Sequence, residues 1–591
     1  MSGDHAASTP RAVGPPMLWT LSILVGIVAG LGAVAFRALI AFVHNLLFLG
    51  TLSTAYNANA HTPPSPWGPF VILVPVAGAL GVVFLVKNFA PEAKGHGVPE
   101  VMDAIYNRKG IIRPVVSVVK ALASALSIGS GGSIGREGPI IQIGSSFGST
   151  VGQLLRLSTW QRITLIAAGA GGGIAATFNT PVGGVLFALE ILMDEVSART
   201  LVPVVTATAT ATYVGQLAFG PHPSFYIPAL ETAYFHLTNP LVLLAYAALG
   251  VITGLVSALF IHSIYGFEHF FEKHVRGGYY MQHVAGMLVV GLMMYAFMSR
   301  FGHYYVEGVG YGTIQDVLSG VQFPLYFLIL LFVSKLLATS LTLGSGASGG
   351  VFSPALFLGA TTGAAYGVAL HRLFPALDIS AAAFAVVGMG GVVGGATGAA
   401  MAAIVMIFEM TLDYTVIVPM TLTVAISYAV RKSLMSDSIY TRKLVLRGEP
   451  VPETLRADLH LARRAASIMN SHVEVLAAAT RLRDLASTGK AAYVVTDESG
   501  IVAGAFTAES LATLDDAKSN ATIEDVFRRN YVVVSPGDSL WDVVAAMSST
   551  NSAFALVASH KGDLPATEVQ GMISRKDIMD TLARSMELFG A

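Results

Sequence analysis

The chain of 591 residues contains no cysteine, which excludes disulfides and thiolate metal sites. It is also poor in charge. Asp, Glu, Lys and Arg make up 12%, against about 25% in ordinary soluble domains. Hydrophobic residues reach 53%, and the mean hydropathy is +0.64. The net charge is −1 and no basic stripe appears, so nucleic acid is not an expected partner. The histidines, from His5 to His560, lack HxxxH and HExxH spacing, so no metal site is expected. Neither a nucleophile nor a metal pattern accompanies the buried acids, so enzyme chemistry is not expected. Residues 1–16 hold three prolines and no apolar core, the wrong composition for a cleaved leader.

The scarce charge is unevenly placed. Residues 456–591 carry 30 of the 71 charged side chains. The first 455 residues therefore read as a multi-pass membrane domain, with lipid as its solvent, and the remainder as a soluble tail. Long apolar stretches at about 17–50, 68–88, 239–268, 279–302 and 323–343 fit membrane helices. Shorter pieces broken by Gly and Pro lie at 115–130, 139–156, 181–196, 350–372 and 397–411. Many are too short to span about 30 Å of hydrocarbon, and broken helices survive there only inside protein or beside a wet cavity. Arg431, Lys432, Arg442, Lys443 and Arg447 follow the last apolar segments, which predicts a cytoplasmic tail.

The membrane part repeats itself. Gly132-Ser-Ile-Gly-Arg-Glu-Gly-Pro139 is echoed by Gly346-Ala-Ser-Gly-Gly-Val-Phe-Ser-Pro354, the prolines 215 positions apart. Ala167–Glu190 is echoed by Val386–Glu409, the glutamates 219 positions apart. Paired interrupted helices point to a binding site at mid-membrane where half-helix ends converge. An odd number of crossings per half would make the repeat inverted.

Within the first copy stand Arg136 and Glu137, charges that cost roughly 3 kcal/mol or more at membrane depth and usually mark an ion path. The glycines leave backbone N–H groups bare, and Pro139 suits the first turn of a helix. A helix N-terminus attracts anions through free N–H groups and about half a positive charge. Gly95-His-Gly-Val-Pro99 is a third loop of this kind. Three such ends aimed at one point can hold a dehydrated anion without a full countercharge, and a carboxylate nearby can compete for the seat. Glycines alone would serve equally for close helix packing.

Gly135-Arg-Glu-Gly-Pro139, Gly350-Val-Phe-Ser-Pro354 and Gly95-His-Gly-Val-Pro99 together resemble the three selectivity-filter motifs of the CLC family of chloride channels and proton/chloride exchangers. Lys120, 17 residues before Glu137, and Asp437-Ser-Ile-Tyr440 strengthen the resemblance, and the tail is similar to the paired CBS domains of many members. The likeness runs from about residue 17 to 585. It implies an all-α polytopic membrane domain with an inverted internal repeat at 17–450, after a cytoplasmic segment at 1–16. Two cytoplasmic α/β CBS modules would follow at 456–515 and 520–585. Implied too are chloride or a similar small anion as cargo, protons at Glu137 and a homodimer with one pore per subunit.

The resemblance assigns roles residue by residue. Glu137 becomes a protonatable gate that swings between the anion path and solution. Backbone N–H groups of Val351 and Phe352, with the Tyr440 hydroxyl, would hold a central anion. Those near Arg136 and Gly138 would form an outer site, and His96 and Gly97 would be anion-binding as well. His96 stands where chloride-selective members have serine. Either its ring N–H donates to the anion, or the ring turns away and leaves only its backbone N–H. Ile191, after Glu190, occupies the place of a second glutamate that carries the inner proton in typical exchangers. This favours a channel or a loosely coupled mechanism, with a stoichiometric exchanger using an inner water path as the alternative. Glu190 and Glu409 read as structural, through helix-end hydrogen bonds or pairing.

In the tail, β-like runs at 491–496, 532–534 and 554–558 alternate with amphipathic segments at 461–470 and 541–548. Gly571-Met-Ile-Ser-Arg-Lys-Asp577 resembles the CBS nucleotide pattern. Ser574, Asp577 and, in the first module, Thr507 are the candidates for an adenine nucleotide. An unliganded dimerisation module is the other reading, and transport itself requires no cofactor.

Overall fold

The computed structural model describes residues 12–193, 197–227, 240–375, 379–449, 451, 464–480, 492–507, 523, 527, 529–559 and 564–588. The chain divides into two compact units, 1–455 and 456–591. The first unit is helical. It opens with α1 (Pro15–His44), α2 (Val74–Phe89), α3 (Val98–Tyr106) and α4 (Val115–Gly129). Next come α5 (Glu137–Leu154), α6 (Thr159–Phe178), α7 (Pro181–Phe187) and α8 (Ala198–Phe219). The second series is α9 (Pro240–His274), α10 (Gly278–Phe301), α11 (Tyr311–Leu318) and α12 (Leu325–Gly344). It continues with α13 (Phe352–Leu373), α14 (Ala381–Thr397), α15 (Ala400–Thr411) and α16 (Ile417–Leu434), and α17 (Thr441–Leu446) closes the unit.

Six helices among the described residues are long and apolar enough to cross a membrane: α1, α2, α8, α9, α10 and α12. Five coincide with the long apolar stretches of the sequence. The sixth, α8, escapes that reading because five threonines and Pro203 dilute its hydropathy. The helix tolerates them because Thr206, Thr208, Thr210 and Thr212 each donate to a carbonyl three or four residues back. The stretch at 350–372, read as a short broken piece, forms the 22-residue α13, whose first ten residues are buried in protein.

The two series pack alike. α1 lies on α8 as α9 lies on α16, and α5 on α6 as α13 on α14. Glycines set the last two crossings. A methyl group on Gly144 or Gly169 would overlap the facing helix backbone, and the same holds for Gly359 and Gly388. Small residues thus let backbones approach where lipid offers no hydrophobic drive between helices.

The sense of the repeat follows from two glutamates. Glu190, near the end of the helical turns that continue α7, accepts from the N–H groups of Met401 (3.0 Å) and Ala402 (2.7 Å) at the start of α15. Glu409, near the end of α15, accepts from Val182 (3.0 Å) and Gly183 (2.7 Å) at the start of α7. Each helix therefore has its end beside the other's beginning, so these equivalent helices are antiparallel and the repeat is inverted. Each carboxylate also complements the positive end of its partner helix.

The second unit holds two three-stranded sheets. In the first, β1 (Val473–Ala477) pairs parallel with β2 (Ala492–Thr496), which pairs antiparallel with β3 (Val502–Thr507). In the second, β4 (Tyr531–Val534) pairs parallel with β5 (Phe554–Ala558), and β5 antiparallel with β6 (Val569–Ser574). The expected runs are β2, β4 and β5; a second strand is expected in the first half without a position, and β1, β3 and β6 lack the long β-branched run that would locate them. The opening segments of the two halves are exchanged. The short helix α18 (Ala465–Ile468) packs on β6, with Ala465 in one core with Leu540 and Ile573. Ile523 joins Tyr493, Val495 and Phe506 of the first sheet. Among the described residues the remaining α-helices of this unit are α19 (Leu540–Ser549) and α20 (Arg575–Leu588).

The reciprocal caps give a paired prediction. Glu190→Ala and Glu409→Ala each leave two first-turn N–H groups unpaired, and each should destabilise the membrane unit by about 1–2 kcal/mol. Thermal unfolding in detergent should show matched decreases. A decrease in one variant only would contradict the two-fold arrangement.

Candidate functional site

Three Gly-rich loops meet at the starts of α3, α5 and α13. Gly135 and Gly350 exchange backbone hydrogen bonds of 2.8 and 2.7 Å. The Gly95 N–H donates to Ala347 at 2.9 Å, and Gly349 donates back to Gly95 at 3.3 Å. A methyl group on Gly138 would stand 3.2 Å from the Gly350 Cα and 3.4 Å from the Gly97 nitrogen. The three helix beginnings thus converge, and only glycine permits the approach.

Two lysines hold the loops in shape. Lys120, buried in α4, donates to the carbonyls of Ala93 (3.0 Å) and Gly95 (2.7 Å). Lys335, buried in α12 and 215 positions later, donates to Val306 (3.2 Å) and Gly308 (2.8 Å). Each ammonium draws carbonyl oxygens toward itself, which favours N–H groups on the other side of the loop. The segment Gly308-Val-Gly310 before α11 is therefore the structural counterpart of Gly95-His-Gly97 before α3.

Glu137 is the first residue of α5 and is 1% exposed. Its carboxylate accepts from the Ser353 N–H at 3.3 Å, in the first turn of α13. It also accepts from the Tyr311 hydroxyl at 2.8 Å and from the Ser353 hydroxyl. A methyl on Gly350 would lie 3.2 Å from Glu137 Oε2, so the carboxylate sits between the loops. An acid side chain thus occupies an anion-attracting helix end.

Val351 and Phe352 are the N-cap and first residue of α13, both buried, with the Phe178 ring centre 5.5 Å from that of Phe352 and tilted by 44°. First-turn N–H groups have no acceptor inside their helix. The Arg136 guanidinium lies 5.3 Å from the Tyr311 ring centre and 5.9 Å from that of Phe178. Tyr440, buried at the start of α17, has its ring 6.2 Å from His96 and 6.3 Å from Phe187. The elements carrying all seven membrane candidates other than Glu137 thus lie around the same junction.

His96 has turned toward α9. Its Nε2 is 3.0 Å from the Tyr265 hydroxyl, which itself donates to the Ile439 carbonyl at 2.7 Å. Tyr265 has one proton and spends it on Ile439, so the neutral imidazole carries its N–H on Nε2, aimed at Tyr265. The ring thus faces Tyr265 through Nε2.

His96 also lines a cavity of about 640 Å³, with Lys94, Tyr265, Arg442, Lys443 and Arg447. Lys443 and Arg447 reach Glu100 of α3 at 3.0 and 2.7 Å, which ties α17 to α3. Residues of α9 from Ile261 to Glu272 line this cavity. Residues between 304 and 313, which follow α10, line a second, small cavity. His96 of one filter loop thus lines the first cavity, and Tyr311, bonded to Glu137, lines the second.

Ile191 is buried among apolar neighbours. In the tail, Ser574 and Asp577 bond to each other. The Ser574 N–H and hydroxyl donate to Asp577 Oδ2 at 2.7 and 2.6 Å, which caps α20. Thr507 ends β3, in the other sheet.

Tyr311 and Ser353 were missed as contacts of Glu137. The available signal was the Gly308-Val-Gly310 echo, 213 positions after Gly95, which marks α11 as a further helix beginning at this junction.

The filter geometry gives a test. A Gly97→Ala side chain would stand 2.9 Å from the Gly138 carbonyl and would force α3 from α5. Chloride affinity by calorimetry should fall about tenfold or more, equivalent to about 1.4 kcal/mol. Unchanged affinity in the folded variant would contradict the convergence.

Comparison with known proteins agrees with the fold. Residues 78–432 match the family profile for voltage gated chloride channels, and residues 523–584 match the CBS domain. The chain is 31% identical over 417 residues to the H(+)/Cl(−) exchange transporter ClcA of Citrobacter koseri, covering 69% of this chain and 84% of that protein. It is 30% identical over 425 residues to a putative chloride channel protein, ClcB-like, of Ralstonia nicotianae, covering 71% and 95%. The crystal structure of a eukaryotic CLC transporter superposes with a TM-score of 0.61 at 21% identity, covering 95% of this chain and 97% of that one. The lean toward a channel, drawn from Ile191, finds no support here, since several relatives carry exchanger names. On the strength of the filter loops, the inverted repeat and these matches, the chain belongs to the voltage-gated chloride channel, or CLC, family of integral membrane proteins.

Proposed function

We propose that the protein carries chloride or a similar small anion across a membrane in exchange for protons, with Glu137 as the movable gate. The observation that carries this reading is the Glu137 carboxylate on the Ser353 N–H, inside the junction of the three loops. A carboxylate in that position and a diffusible anion want the same donors. When Glu137 takes a proton it loses its charge, its hold on the helix end weakens and an anion can replace it. The exchange of one negative group for another links proton to anion.

The remaining assignments follow the same reading. Val351, Phe352 and Tyr440 hold the central anion, Arg136 and Gly138 the outer one, and His96 and Gly97 contribute through their backbone N–H groups. The cavity lined by Lys94, Arg442, Lys443 and Arg447, four cations against Glu268 and Glu272, is read as collecting anions on the cytoplasmic face. The working form is a homodimer, with the membrane domain at 17–450 and the CBS modules at 456–515 and 520–585. Ile191 cannot hold a proton, so water in the basic cavity serves the inner half of the proton route. An adenine nucleotide at Ser574, Asp577 and Thr507 would regulate transport. The cap bonds of Ser574 both end on one oxygen of Asp577, a carboxylate with two.

The test is flux in liposomes with chloride and proton movement followed together. A chloride gradient should drive protons uphill, and acid should raise turnover. Glu137→Gln should abolish proton movement while leaving chloride flux that no longer responds to pH. Chloride flux without proton movement in the unmodified protein, with a reversal potential set by chloride alone, would make it a channel instead.

A further inference from the structure

Glu137 has almost no contact with solvent in this position, so a proton reaching it here passes through a neighbour. Its polar contacts are Ser353 and Tyr311. Ser353 is itself fully buried, whereas Tyr311, whose hydroxyl also lies 2.8 Å from that of Ser353, lines the small cavity. That cavity, about 30 Å³, has room for one or two water molecules. Its walls include Tyr56, His61, Thr62 and Glu307.

Glu307 is a buried acid that the gate mechanism leaves unused. Its Oε1 accepts from His44 Nε2 at 2.8 Å and from the Thr62 hydroxyl at 3.1 Å, and both ionisable side chains are under 10% exposed. Nearer the surface, His61 Nε2 lies 2.7 Å from Asp316 Oδ2, with side chains 18% and 33% exposed, and His61 stacks on His303 at 4.2 Å. From solvent inward the order is therefore Asp316 and His61, then Glu307 and His44, then Tyr311, then Glu137. Other charges bear on this line: Arg37 of α1 and Arg136 of α5 near Tyr311 and Tyr56, and Lys335 of α12 beneath the loop that carries Glu307.

We propose that this line is the route by which protons pass between Glu137 and the solution on the face that carries the small cavity, with Tyr311 as the final carrier. The proposal rests on the reading of Glu137 as a protonatable gate. Tyr311 gives its hydroxyl proton to Glu137 Oε1 and takes one from a water in the cavity. The Glu307 carboxylate first takes a proton from solution by way of His61 and Asp316, gives it to that water, and so returns to the carboxylate that accepts from His44. One proton moves inward, and every group except Glu137 returns to its starting form. A phenol can do this without a net change of charge, because it is donor and acceptor at once.

Tyr311→Phe and Glu307→Gln, reconstituted in liposomes, test the route separately. Proton-coupled turnover should fall roughly tenfold or more in each, in line with the loss of a proton-transfer group. The dependence of turnover on the pH of that face should flatten, and Glu307→Asp should restore much of it. The proposal is overturned if either variant keeps the unmodified rate and pH profile. It is overturned equally if turnover drops by one factor at every pH and Glu307→Asp does not rescue it. Absence of proton-linked flux in the unmodified protein would instead remove the exchange reading itself.

Discussion

A helix that begins inside a membrane leaves N–H groups that neither water nor its own turns can satisfy. Everything at the centre of this protein answers that constraint. The beginnings of α3, α5 and α13 are brought together, so their donors converge. The carboxylate of Glu137 satisfies the N–H of Ser353, one of these donors. Lys120 and Lys335 secure nearby carbonyls, so the loops present donors rather than acceptors to the junction. The site is a shortage of hydrogen-bond acceptors, held open by packing.

The inverted repeat creates that shortage and then breaks its own symmetry. α7 and α15 are tied antiparallel by Glu190 and Glu409, and equivalent glycines set the crossings of α5 with α6 and α13 with α14. Across the two filter loops, however, Glu137 corresponds to Phe352 and Gly138 to Ser353. One half supplies the acid and the other the donors it rests upon. A pathway with two identical halves would have no gate.

Much of this was legible in the sequence, because the physics that makes the site is local. Gly135 to Pro139 and Gly350 to Pro354 announce helix beginnings, and a lone glutamate among them announces a charged function. The long apolar runs gave five spans, while α8 was hidden by threonines that satisfy their hydroxyls on their own helix. Less was legible where a role depends on distant partners. The direction of the His96 N–H is decided by Tyr265, 169 positions away, through the Ile439 carbonyl. Tyr311 touches Glu137 across 174 positions, and the adjacent Gly308-Val-Gly310 echo marks a helix beginning without naming the partner. Ile191 spoke only of a missing inner carboxylate, which is too little to separate a channel from an exchanger. In the tail, Ser574 and Asp577 carry a motif that the structure uses first as a helix cap.

The central claim is that a carboxylate and a free anion contest one set of backbone donors. Crystals of Glu137→Gln grown in bromide test it directly through anomalous scattering. The account predicts a bromide peak among the three loops, against the first-turn N–H groups of α13, with weaker occupancy in the unmodified protein. No bromide there in either protein, with the loops still converged, would contradict it.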